Sequence, residues 1–179
     1  MSVGGIFATI SEYNIQKEKG KKSMKINYKS LIINIAIPLA IGGLSAWLTM
    51  GSMEHFSKLE QPPLSPPGWL FPVVWTILFV LMGIASYLVV MSGTSLEDKA
   101  RALKYYGLQL IFNFFWSILF FNFDLYYFSF VWILLLLALI ITTTVLFYKI
   151  DRRTIFLLLP YILWVAFASY LNLGIAILN

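Results

Sequence analysis

Residues 125–148 read Leu-Tyr-Tyr-Phe-Ser-Phe-Val-Trp-Ile-Leu-Leu-Leu-Leu-Ala-Leu-Ile-Ile-Thr-Thr-Thr-Val-Leu-Phe-Tyr, without one Asp, Glu, Lys or Arg. About 20 mostly apolar residues suffice for a helix to cross a hydrocarbon core of about 30 Å, and this stretch is long enough. A strand of a membrane barrel would alternate apolar and polar residues, whereas Ile133-Leu134-Leu135-Leu136-Leu137 does not alternate. A helix is the form expected, because hydrocarbon offers no partners for unpaired backbone groups.

Four further uncharged stretches flank it: Leu31–Met50, Trp69–Met91, Tyr105–Phe123 and Thr154–Leu178. The sequence therefore predicts an all-α membrane protein, a bundle of five transmembrane helices. Composition agrees: 60% of the residues are hydrophobic, mean hydropathy is +0.82, and 12% are charged, against roughly 25% in soluble domains. Of the 13 basic residues, all but Lys58 fall before the first span, between spans two and three, or between spans four and five. The positive-inside rule then predicts a multi-pass protein of the cell membrane with a cytoplasmic N-terminus and an extracytoplasmic C-terminus. The pI near 9.4 is thus a topology signal, and this charge layout argues against nucleic acid as a partner.

Residues 1–26 are expected to form a disordered, basic N-terminal extension, with the domain proper over 27–179. Met24 opens Met-Lys-Ile-Asn-Tyr-Lys-Ser directly before the first span and is the expected natural start. The short connections between spans two and three, three and four, and four and five predict antiparallel packing of those neighbours. The longest connection, residues 51–67, ends in Pro62-Pro63-Leu64-Ser65-Pro66-Pro67. Its prolines lack backbone donors and have fixed φ, so this first loop is expected to be stiff and to lie over the bundle as a lid. Ser65 followed by Pro66 reads as the N-cap and first position of the second helix. Pro38, Pro72 and Pro160 fall inside spans and can kink them, and Pro160 precedes an aromatic cluster.

Conventional catalytic sets are missing. There is no cysteine, which excludes disulfides and thiolate chemistry, and the one histidine, His55, lies in the first loop. No span holds a histidine or carboxylate, which argues against a metal site, a bis-histidine haem site and a proton-coupled pump. Aromatic and amide residues remain. Trp75, Phe79 and Met82 share one face of the second span, Asn113, Trp116, Ser117 and Phe120 one face of the third, and Trp164, Ala168 and Asn172 one face of the fifth. Helix packing alone would account for such faces. Trp69 and Trp132 read as interfacial or lipid-facing, and Trp47 as an interface anchor. Gly42 with Ala46, and Ala36 with Ala40, give small-xxx-small spacing on the first span, compatible with a homodimer.

Pro62-Pro63-Leu64-Ser65-Pro66-Pro67-Gly68-Trp69, then Val74-Trp75-Thr76-Ile77-Leu78-Phe79 and Met82-Gly83, resembles the run K-P-x-W-x-P-P-G into V-W-x-x-L-[YF]-x-x-M-G of the translocator (TspO/MBR, tryptophan-rich sensory protein) family, with Gln61 for its Lys and Leu64 for its Trp. Leu108-Gln109-Leu110 and Asn113 through Phe121 are similar to that family's third-helix motif. Leu159-Pro160-Tyr161-Ile162-Leu163-Trp164-Val165-Ala166-Phe167-Ala168-Ser169-Tyr170-Leu171-Asn172 is similar to its fifth-helix block. The likeness covers about residues 27–179.

The resemblance implies a receptor that binds porphyrins, sterol-like molecules or isoquinolines in a cavity under the first loop, with no cofactor and with protoporphyrin IX as ligand or substrate. Carried over by position, the wall is Pro66, Trp75, Phe79, Asn113, Trp116, Trp164 and Ala168, with His55 and Phe56 from the loop, where the family usually has Trp-Tyr. The family's C-terminal sterol motif needs a basic residue shortly after Tyr170, and none follows. Two functions are implied: tetrapyrrole sensing, sequestration or movement, and an enzyme-like, light- and oxygen-dependent degradation of protoporphyrin IX with Trp75 and Trp164 as electron donors.

Overall fold

The computed structural model describes residues 26–179. The expected extension over 1–26, Met24 included, lies outside the described residues apart from Ile26. The regular elements are helical: α1 (Tyr28–Thr49), α2 (Leu70–Met91), α3 (Leu96–Phe121), α4 (Tyr126–Ile150) and α5 (Thr154–Leu178). A 3₁₀ turn, Met50–Ser52, and a single helical turn, Met53–Phe56, follow α1. Four helices are long and apolar enough to cross a membrane: α1 with its extension to Ser52, α2, α4 and α5.

α3 stands outside that count because of its composition. It begins nine residues before the uncharged stretch, at Leu96, where Ser95 caps it. The Ser95 hydroxyl accepts from Asp98 N at 3.1 Å and donates to the Asp98 carboxylate at 2.8 Å. Glu97 then pairs with Arg101 at i,i+4, 3.0 Å apart. What looked like a charged loop is therefore the opening of a helix, and Gln109 and Asn113 lower its apolarity further on.

The second helix also starts differently. It opens at Leu70 with Trp69 at the cap position, not at Pro66. Ser65 does not cap it: its hydroxyl donates to Pro62 O at 2.8 Å, in a turn where Leu64 takes a left-handed φ of 67°. Pro72 thus falls in the first turn, where its missing N–H would have had no intrahelical acceptor, so it does not interrupt the helix. Pro38 and Pro160 do lie inside helices.

The long helices close into a ring in the order α1, α2, α5, α4, α3, each packed between two others. The expected α3–α4 and α4–α5 pairs are main seams. The α2–α3 pair is not: α1 lies between them, and a four-residue link, 92–95, spans the separation. The α1–α2 seam is close because Gly83 meets the Asn34–Ile35 backbone; a Cβ built there would lie 2.5 Å from Ile35 Cα. Gly42 is filled in the same way by the Phe79 ring, so its small size serves this seam within the chain.

At one end the first loop is fixed to α5 and α3. Pro62 is buried against Gly174, the Tyr170 hydroxyl donates to Pro63 O at 2.9 Å, and Asn179 bonds both backbone groups of Glu60, at 3.0 and 3.1 Å. Ser52 donates to the Asn122 side chain at 2.8 Å.

Candidate functional site

The inner face of α3 carries Tyr106, Gln109, Asn113, Trp116 and Phe120, all buried. Amides in a span need partners, and here α5 supplies them. Asn113 Nδ2 donates to the Tyr161 hydroxyl at 2.9 Å, and that hydroxyl donates to Gln109 Oε1 at 2.8 Å. Gln109 Nε2 reaches Met82 Sδ at 3.7 Å, which brings α2 into the chain. Nearer the first loop, Trp116 Nε1 donates to Asn172 Oδ1 at 3.1 Å. The same oxygen accepts from Ser129, and Asn172 Nδ2 donates to Tyr126 O at 2.8 Å. Three amides and one tyrosine thereby fix the rotation of α3, α4 and α5 about one interior.

Aromatic planes line that interior. The Trp75 ring lies 5.6 Å from Phe79, 6.4 Å from Trp116 and 6.1 Å from Tyr161, the last edge-on. Trp116 stacks on Phe120 at 5.5 Å, and Phe120 and Phe121 meet Phe56 of the loop at 5.8 and 5.1 Å. These separations are those of favourable aromatic pairs. A continuous aromatic wall thus runs from the middle of α2 to the underside of the first loop.

Of the residues singled out from sequence, Trp75, Phe79, Asn113 and Trp116 converge on this interior, Ala168 is buried on α5, and Phe56 closes the loop end. Pro66 is half-buried. His55 is exposed, with Nε2 3.7 Å from Asp124 Oδ1.

Trp164 stands apart from the other indoles. Its ring neighbours are Phe71 and Phe167, each at 5.9 Å. With Val74, Ile77, Leu78, Pro160, Leu163 and Phe167 it lines an open apolar groove of about 420 Å³ along the α2–α5 seam. Its Nε1 is buried with no hydrogen-bond acceptor. Pro160, expected to shape a cavity, borders this groove.

Sequence reasoning passed over Tyr161 and Gln109. The available signal was the spacing of Gln109 and Asn113, two amides one turn apart in an uncharged span, which calls for a shared polar partner on a neighbouring helix. Trp132 was misplaced. It stacks on Phe112 at 4.4 Å and donates from Nε1 to Phe112 O at 2.9 Å, so it ties α4 to α3 rather than facing lipid. Among the described residues no three potential metal-ligating His or carboxylate side chains cluster.

The TspO/MBR family model matches residues 34–178. The chain is 36% identical over 151 residues to the tryptophan-rich protein TspO of Chlorobaculum tepidum, covering 84% of this chain and 96% of that one. It is 36% identical over 155 residues to the tryptophan-rich protein TspO of Archaeoglobus fulgidus, covering 86% and 99%. The bovine translocator protein (Bos taurus) is 31% identical over 139 residues, covering 76% and 82%.

Proposed function

The chain belongs to the TspO/MBR family of membrane proteins, and from that premise we propose that it is a receptor or translocator-like protein that takes protoporphyrin IX, or another flat apolar molecule, between α2, α3 and α5 beneath the first loop. In this reading α3 crosses the membrane with the other four helices, the proline-stiffened loop is the lid, and the basic end with the N-terminus faces the cytoplasm.

The observation that carries the reading is the convergence of Trp75, Trp116, Phe79 and Tyr161 on one interior, with Asn113 beside them. A tetrapyrrole presents two apolar faces to such planes. The α2–α5 groove runs alongside this interior, with Val74 and Leu78 of α2 and Trp164 of α5 on its wall. The groove's volume falls within the range of roughly 300–1,000 Å³ usual for ligand pockets.

The test is titration of the purified protein with protoporphyrin IX, followed by the Soret band and tryptophan quenching. Saturable one-to-one binding is expected, weakened on the order of tenfold in Trp75→Phe and Trp116→Phe and unchanged in Trp47→Phe, whose ring is exposed. Equal affinity in all three variants would refute the interior site.

A second reading, light-driven oxidative breakdown of protoporphyrin IX, is favoured by the position of Trp164 beside the groove. Illumination in air should then consume the Soret band, and Trp75→Phe with Trp164→Phe should stop the loss. Consumption at the wild-type rate in the double variant would remove this reading and leave the receptor standing.

A further inference from the structure

The end of the bundle opposite the first loop carries seven described basic residues, Lys29, Lys99, Arg101, Lys104, Lys149, Arg152 and Arg153, against three carboxylates. Three of the seven are satisfied within the protein. Lys99 Nζ donates to Val90 O at 3.0 Å, Arg101 pairs with Glu97 at 3.0 Å, and Arg153 pairs with Asp151 at 2.6 Å. Those pairings use all three carboxylates except Asp98, which is taken by Ser95. Lys104, Lys149 and Arg152 have no carboxylate partner among the described residues. Lys29 has none either, but it stands on α1, away from the α4–α5 turn.

Lys104, Lys149 and Arg152 lie at the same end of adjoining elements. The Tyr106 ring meets the Phe147 ring at 5.6 Å, which sets the register of the antiparallel α3–α4 pair. Two residues outward from each lie Lys104 and Lys149, at one level on adjoining helices, and Arg152 follows in the turn out of α4. All three are exposed, as is Tyr105 beside them. Below Lys104, at i+4, i+7 and i+11, the outer face of α3 shows Leu108, Ile111 and Phe115, also exposed. A cationic edge over an apolar strip matches the chemistry of a lipid with an anionic head and hydrocarbon tails.

We propose that Lys104, Lys149 and Arg152 form a binding site for the phosphate of an anionic phospholipid, whose acyl chain lies along Leu108, Ile111 and Phe115. None of the three has a carboxylate partner among the described residues, Lys104 and Lys149 share one level, and Arg152 follows in the turn beyond them. Among the described residues the opposite end has one lysine or arginine, Lys58, and it is paired with Glu54 at 2.9 Å. Each basic group near an anionic surface is worth about fivefold in affinity, so three acting together are expected to enrich such a lipid on the order of a hundredfold.

The test uses the full chain in nanodiscs of mixed phosphatidylglycerol and phosphatidylcholine, with lipids retained on release counted by native mass spectrometry. The wild type is expected to retain phosphatidylglycerol preferentially. Lys104→Gln/Lys149→Gln/Arg152→Gln should lose that preference, whereas Lys58→Gln and Arg101→Gln should keep it. The lysines of residues 1–25 are common to all variants and cancel. Should the triple variant fail to fold, Lys104→Gln and Arg152→Gln singly should each weaken retention by about fivefold. A preference unchanged in the triple variant, or in both single variants, would overturn the proposal.

Discussion

Gly174 of α5 receives the ring of Pro62: a Cβ built on the glycine would lie 2.5 Å from Pro62 Cβ and 2.7 Å from its Cγ. The proline ring is rigid, so it cannot yield as a flexible side chain would. The first loop owes its position over the aromatic interior to this contact together with the Tyr170 and Asn179 hydrogen bonds. Gly174→Ala is therefore expected to push the loop off α5 while leaving the helices packed. Overpacking of this kind costs about 1–3 kcal/mol. Proteolysis within residues 57–67 should speed up and, on the proposed function, protoporphyrin affinity should fall, whereas Gly68→Ala, where a Cβ meets nothing within 4 Å, should change neither.

The α1–α2 seam makes a second prediction. A methyl group on Gly83 would press on backbone, at 2.5 Å from Ile35 Cα and 2.7 Å from Asn34 O. Only separation of the two helices can relieve that contact, and separation also strains the Ser86–Asn34 hydrogen bond of 2.8 Å. Gly83→Ala is expected to lower the thermal midpoint sharply. Gly107→Ala, in α3 with open space at the Cβ position, is expected to raise stability by about 0.5–1 kcal/mol through helix propensity alone. Thermal unfolding in one detergent would compare the two.

Four helices were legible because an unbroken uncharged run has few other physical explanations, and Thr154–Leu178 matches its helix end to end. The start of α3 was not legible from charge alone, since charge reads as loop where a membrane segment is being sought. The Ser95–Asp98 cap and the Glu97–Arg101 spacing were the signals for helix there. The ring order was also hidden: loop length says that α2 and α3 can be neighbours, and nothing local says that α1 lies between them. For the site, spacing put Trp75 with Phe79 and Asn113 with Trp116 on shared faces. Which partner each amide takes is a property of helix rotation, so Tyr161 went unnoticed, and Trp164 proved to stand at the α2–α5 seam.

The turn between α4 and α5 carries a pH prediction. Asp151 is held below the usual carboxylate range, chiefly by hydrogen bonds from the Arg153 side chain, with desolvation opposing. A carboxyl depressed on folding contributes stability that is present above its unfolded pKa, near 3.8, and is lost as pH falls through the lower folded value. The wild type should therefore lose stability below about pH 4 more steeply than Asp151→Asn. The effect should be modest, because Arg153 is exposed and the pair is screened by solvent. Thermal midpoints followed from pH 6 down to pH 3 would show it as a slope that sets in below about pH 4 in the wild type and is flattened in Asp151→Asn.

The last prediction concerns the hydroxyl that joins α3 to α5. Tyr161 is fully enclosed and both donates to Gln109 and accepts from Asn113. Tyr161→Phe keeps the ring against Trp75 but leaves one amide oxygen and one amide nitrogen buried without their partner. Such orphaned groups cost about 1–3 kcal/mol, more than the net value of the bond itself. Tyr161→Phe is therefore expected to destabilise the chain by about that amount. Combining it with Gln109→Leu and Asn113→Leu removes every member of the chain and should recover most of the loss, because an apolar interior of similar shape has nothing left unpaired. If the triple variant were less stable than Tyr161→Phe, the polar chain would be contributing net stability through cooperativity, and the assignment of the cost to desolvated amides would be wrong.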